Sequence, residues 1–217
     1  MIQDINSFDF SKVSYTTPKK ASASHYSVCA QLVDENGMSG EKIYFQTPKM
    51  TLQSDVFHVE TQQVHQFIDL SCEDEAFVKW VKGLDTQMFN VIKEKRTEWF
   101  PNKTIEDTFL EMGQTPSLMI HNVLRARTDK HIEIFNTRKE KVPSSDLVAK
   151  NVVRCILQFV GIWFTATRWG VTWKVVQILH YPERKSKSVS QTFGYMFPDE
   201  ESVSDNEDDS PAPPPGI

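Results

Sequence analysis

Between residues 72 and 98 the sequence carries one apolar stripe at helical spacing, and on both sides of it the pattern is that of β-strands. Phe77, Trp80, Val81, Leu84, Met88 and Val91 recur at intervals of three and four, while Lys79, Lys82, Lys93, Lys95 and Arg96 fall mostly off that line. Ser71 is placed to cap the helix, and Glu73, Asp74 and Glu75 put negative charge in its first turn, where the helix dipole favours it. Pro101 ends the run. Thr104, Glu106 and Asp107 then predict a second, shorter helix reaching about Met112. A stripe this long must be buried against something, and only the flanking segments are available.

Those segments read as strands. Upstream, residues 26–33 precede an Asn36-Gly37 turn, 42–46 (KIYFQ) stop at Thr47-Pro48, and 55–60 (DVFHVE) alternate apolar with polar. Downstream, 117–127 and 130–136 alternate across Thr128-Asp129, which predicts a hairpin. Two further strands, 151–165 and 170–179, are joined by a short loop around residues 166–169, and the first is apolar enough to expect burial on both faces. Strict βαβ alternation is absent, which argues against a doubly wound parallel sheet. The order of elements predicts an α+β fold, an OB-like antiparallel β-barrel with inserted helices.

Length and charge set the domain plan. A chain of 217 residues, 39% of them hydrophobic, can build one core, and no stretch approaches the ~20 apolar residues of a membrane-spanning helix. The N-terminus lacks the basic-then-apolar order of a signal peptide, so an intracellular protein is expected. Cys29, Cys72 and Cys155 are odd in number and lack ligand spacing, which suits free thiols. The formal charge of −5 is unevenly placed: from Asp199 onward there are seven acids and no Lys or Arg, leaving 24 basic and 22 acidic residues in positions 1–198. The expected division is therefore a mildly basic core, 1–198, and an acidic tail, 199–217, which is too poor in apolar residues to fold and ends in an extended Pro-rich segment. Ser202 and Ser204 stand three residues before Asp205 and Glu207, the pattern of acid-directed phosphorylation sites.

Signs of catalysis are few. The chain contains no P-loop, GxGxxG, GxSxG or HExxH motif. His58 and His65 lie near Glu60 and Asp69 but match no metal-ligand spacing, and Cys155 sits in an apolar run where a thiolate is disfavoured. The expectation is a binding protein without cofactor or metal rather than an enzyme. Two features point to what it binds. Trp163, Trp169 and Trp173 lie close together with Arg168 and Lys174 among them, and aromatic faces beside cations make a platform for the bases and phosphates of a single strand. Trp163 and Trp173 can equally fill a barrel core, whereas Trp169, next to Arg168 in a turn, is expected to be exposed. The second feature is a basic interval, Arg125, Arg127, Lys130, Arg138, Lys139 and Lys141, set around Phe135.

The segments GIWFTATRWGVTWKVVQI (161–178) and QTPKM (46–50) resemble a family of OB-fold single-stranded-DNA-binding proteins of large nucleocytoplasmic DNA viruses. The resemblance implies a viral protein that coats strands exposed during replication or recombination, in the host nucleus, at a cytoplasmic replication site or in the virion. It adds Lys49 to the site. The expected contacts are stacking on Trp169, Phe135 and Tyr44, with Lys49, Arg125, Arg127, Arg138, Lys139, Arg168 and Lys174 on phosphates. Single-stranded DNA is the expected ligand, with RNA not distinguished. Replication or recombination proteins are the expected partners of the acidic tail, which departs from similar viral tails in ending Pro-Pro-Pro-Gly-Ile rather than on an aromatic residue. A virion-associated scaffold is the alternative.

Overall fold

The computed structural model describes residues 1–34 and 36–182. The acidic tail, Ser202, Ser204 and the expected boundary at residue 198 lie outside the described residues. The architecture is organised by two long strands, Val152–Phe164 and Trp169–Tyr181, paired antiparallel along their whole length. The eight strands that build the site are β1 (His25–Val33), β2 (Ile43–Gln46), β3 (Met50–Leu52), β4 (Phe67–Ser71), β5 (Val123–Arg127), β6 (Glu133–Asn136) and the long pair, β7 and β8. Strands β3, β4, β5, β8 and β7 close a circuit: β7 pairs β3, β3 pairs β4, β4 pairs β5, β5 meets β8 at the Arg127–Lys174 bridge, and β8 returns to β7. A closed five-stranded barrel with two helices, α1 (Glu75–Trp99) and α2 (Asp107–Gly113), between its strands is an OB-like α+β fold.

β7 is long because it serves three partners along one edge, β3 at Val152–Val153, β2 at Ile156–Phe159 and β1 at Gly161–Phe164. The change from β2 to β1 falls at a bulge, where Phe159 opposes Trp173 but Gly161 opposes Thr172. Gly161 is required there: its φ is +137°, and a Cβ would stand 2.0 Å from the carbonyl oxygen of Val28. The extra residue shifts the alternation. Val153, Cys155, Leu157 and Phe159 point into the core, and so do Ile162 and Phe164 beyond the bulge, while Trp163 turns outward. β7 is thus buried on one face and half-buried on the other, because α1 covers only the inner side.

Helix α1 begins three residues later than Ser71 suggests. Ser71 stays in the β4 ladder, opposite Val123 and Thr51, and Asp74 caps instead, its carboxylate accepting from the Phe77 N–H at 2.8 Å. The stripe of α1 packs on the inner aromatics of the barrel strands. Trp80 meets Phe45 and Trp173 at 4.6 and 6.1 Å between ring centroids, and Trp99 meets Phe164 at 6.3 Å. Burying each such side chain is worth about 1.5–3 kcal/mol, so the helix and the long hairpin stabilise each other. Among the described residues no helix is long and apolar enough to cross a membrane.

The expected hairpin of 117–127 with 130–136 does not form. Residues 118–127 are interrupted at Ile120–Asn122, where His121 and Asn122 have φ of 60° and 54°. Both edges of β5 are then taken, one by β4 and the other by Leu118–Met119 and β8, so β6 pairs parallel with the free lower edge of β8 instead. The segment 55–60 is strand only at Phe57–His58, in a small hairpin with Gln63–Val64.

Candidate nucleic-acid interface

Cross-strand partners in a sheet share a face, so the register assigns the outward side chains. One row runs Lys19, Ser27, Trp163, Gly170 and Thr115 across five strands. Gly170 leaves the space that Trp163 occupies, because a Cβ there would stand 2.9 Å from Cζ2 of the indole. Trp163 therefore lies along the sheet rather than standing off it. The ring of His25 is stacked with it, 6.1 Å between centroids and 13° between planes. On the neighbouring strands, Phe67 faces Arg127 and Asp69 faces Arg125, all outward.

Together these side chains form a groove of about 530 Å³, whose lining includes Trp163, His25, Phe67, Met119, Arg125 and Arg127. Phe67 is 45% exposed and Met119 39%, so the groove presents apolar surface to solvent with two guanidinium groups beside it. Arg125 is already engaged: its Nε and one terminal nitrogen donate to the two carboxylate oxygens of Asp69, at 2.8 and 2.7 Å, and this partner holds the guanidinium pKa above its ordinary value. Arg127 has no ion pair among the described residues. Lys174, the cross-strand partner of Arg127, is paired with Asp129, whose carboxyl is held below its usual range by that contact. The face is thus partly neutralised in the free protein.

The structure corrects the expected role of Trp169. It is not in the turn but is the first residue of β8, opposite Phe164, and both point inward. Trp169 is fully buried, and its indole N–H donates to the Leu110 carbonyl at 2.9 Å. A base cannot reach it. Trp173 is buried likewise, donating to Ser117 Oγ at 3.0 Å, and Ser117 in turn holds the buried carboxylate of Asp85 through its N–H at 2.8 Å and its hydroxyl at 2.6 Å. Burial raises the Asp85 pKa and these two donors oppose the rise. The network fixes the helix to the wall of the groove.

The remaining expected residues divide between two places. Arg125 and Arg127 line the groove with Trp163, whereas Phe135 and Lys139 line a second pocket near the far end of β8. Tyr44, half-buried, shares its row with Gln158 and Lys174 between them. Lys49 is over the ring of Tyr181 at 4.7 Å, and Arg138 and Arg168 are exposed in turns. Sequence reasoning missed Lys19, His25, Phe67 and Met119. The two glycines Gly161 and Gly170, each inside a strand and flanking Trp163, were the available signal, since a strand glycine marks a bulge or a close approach. Burial pushes the Cys155 thiol up to about 12, which suits a core residue. The rings of His58 and His65 are 5.3 Å apart, and among the described residues no group of three or more potential metal ligands occurs.

The model of a family of unknown function, DUF5871, matches residues 55–199. This chain belongs to that family. The matched segment takes in β4, β5, both long strands and both helices, and so the Trp163 side of the groove, while Lys19 and His25 lie outside it. No curated protein matches the sequence. Among solved structures the chain is similar to the single-stranded DNA-binding protein from bacteriophage Enc34, in a C-terminally truncated form, with a TM-score of 0.36 and 9% identity over 77% of this chain and 94% of that one.

Proposed function

We propose that this DUF5871 chain binds single-stranded DNA without sequence preference, stacking bases on Trp163 and holding phosphates with Arg127, Lys19 and, once released from their carboxylates, Arg125 and Lys174. The observation that supports it is the outward, half-exposed Trp163 lying flat in an apolar groove that carries unpaired and partly paired cations. Such a surface recognises the π-face that every base presents, and it reads no base edges. On this reading the protein is a non-catalytic coat for strands exposed in viral replication or recombination, acting inside the host cell. The viral setting rests on the resemblance of residues 161–178. The acidic tail competes for the same cations or recruits replication partners. Titration with poly-dT tests the proposal: tryptophan emission falls as strand is added at low salt, and affinity declines steeply as salt rises. Absence of both quenching and binding at about 50 mM salt, where phosphate contacts are strong, overturns it. The rival, a virion-associated scaffold, draws on the exposed Met119 of the groove lining and its exposed chain neighbour Ile120, and is favoured if the groove captures protein but no strand.

A further inference from the structure

The outward face that carries Trp163 continues down the long hairpin to a second pocket, of about 320 Å³, whose lining includes Phe135, Lys139, Arg154, Gln177 and Gln46. The register puts the pocket on the same face. Trp163 is followed outward by Gly161 beside Thr172, then Gln158 beside Lys174, Ile156 beside Gln177, and Arg154 beside Leu179, with Phe135 next to Leu179 on β6. The bulges in β7 and β8 preserve this continuity, since each shifts the alternation so that outward residues stay outward past it. From Gly170, beside Trp163, to Leu179, beside Arg154, the distance along β8 is about 30 Å at the rise of a strand.

Among the described residues, Arg154 and His180 each leave a buried side-chain nitrogen without a partner, and of the two Arg154 lines the pocket. Its Nε is buried and has no hydrogen-bond partner, and its guanidinium forms no salt bridge among the described residues. A buried guanidinium nitrogen without an acceptor is costly unless a ligand supplies one. The pocket lining contains Arg154, Lys139 and three amide side chains but no Asp or Glu. Lys139 is aimed by a tight turn in which it takes φ of 65°. The ring of Phe135 is half-buried in the pocket.

Resting on the proposed function, we infer that this pocket is a second station for the same strand, in which Arg154 and Lys139 take a phosphate and Phe135 takes a base, so that the strand runs along the hairpin from Trp163 to Arg154. The sequence interval 125–141 gave no hint of Arg154, which comes from β7.

The test is length dependence. Labelled oligonucleotides of about 4, 8 and 12 thymidines cover the ~4–16-nucleotide site sizes of such barrels. Wild-type affinity, measured by anisotropy, rises with length as both stations fill. Arg154→Ala loses about tenfold on the longest strand and leaves the shortest unchanged. Lys139→Gly, which keeps the left-handed turn and removes an exposed side chain, gives the same pattern more weakly, about threefold, and guards against a folding defect in the arginine variant. If both variants leave the longest strand unaffected, or weaken all lengths equally, the second station is wrong while the first stands. If no length binds at all, the proposed function itself fails.

Discussion

Removing the ring of Trp163 separates the two halves of the binding argument. Stacking of a base on an aromatic side chain is worth about 1–3 kcal/mol, so Trp163→Ala should weaken single-strand binding by roughly 5- to 150-fold. The lower part of that range is expected, because Gly170 floors the indole on the sheet side and His25 is stacked with it at 6.1 Å, so a base gains only the part of the ring that these two leave open. The loss should be the same at every salt concentration, since the substitution removes no charge and the salt slope of about −0.7 per phosphate contact reports only cations. Arg127→Ala should do the reverse, lowering the slope by about that amount. Trp163→Phe should retain most of the affinity but remove most of the fluorescence change, because Trp169 is fully buried, Trp173 is only 2% exposed although it belongs to the groove wall, and Trp80 and Trp99 lie outside the groove lining. The assay is anisotropy for affinity and tryptophan emission for quenching, across a salt series. Thermal melts must show the variants folded, which is expected as Trp163 stands outside the core cluster. Quenching that survives undiminished in Trp163→Phe, or affinity within twofold of wild type in Trp163→Ala, refutes the placement of the base.

Four further outcomes follow from the geometry. Asp69→Asn frees Arg125 from its two-pronged carboxylate contact, so binding tightens at low salt and the slope steepens by about one cation's worth; stability, measured by urea titration, shifts by less than ~1 kcal/mol because the pair is solvent-exposed. Gly161→Ala forces a Cβ to within 2.0 Å of the Val28 carbonyl at a φ of +137°, and should cost more than about 3 kcal/mol in the same titration. Ser117→Ala strips a donor from Asp85 and the acceptor from Trp173, costing about 3–5 kcal/mol at neutral pH. Because the Asp85 pKa is raised by burial, the protonated form is favoured by folding; the variant raises it further, so its deficit shrinks as pH falls from 7 toward the ~3.9 of an unfolded aspartate, and a pH-independent deficit refutes the network. Deleting residues 199–217 removes seven acids and no base, and tightens strand binding at low salt if the tail competes for the groove; unchanged affinity reduces it to a recruitment or solubility segment.

Much of the fold could be read from periodicity, and the errors have physical causes. The stripe Phe77 to Val91 and the two long β runs were strong because burial writes the same period many times over. Thr128-Asp129 looked like a hairpin turn because local sequence records a reversal and not a partner. Which strand β6 joins depends on which edges remain open, a fact decided by β4 and β8, far away in the chain. Ser71 looked like a cap because three acids follow it, but its pairing to Val123 holds it in the sheet. The basic interval 125–141 was likewise one run in sequence and two places in space.

The tryptophans show most clearly how a site can be hidden in a readable core. Counting by twos onward from the buried Phe159 puts Gly161 and Trp163 inside, and placing Trp169 in the turn leaves it outside; the first is reversed by where β7 bulges and the second by where β8 starts. One inserted residue next to Gly161 turns Trp163 outward while returning Ile162 and Phe164 to the core, and the absent side chain of Gly170 gives the exposed indole a floor. The hairpin can therefore use its aromatics twice. From the inside the Trp169 indole holds α2 at the Leu110 carbonyl and the Trp173 indole holds α1 by way of Ser117 and Asp85, and the same two strands carry Trp163 rigidly on the outside. A stacking residue held on a bulged strand, with a packed core directly behind it, loses little freedom when a base arrives, which is what a strand-coating surface without base-specific contacts needs in order to bind well.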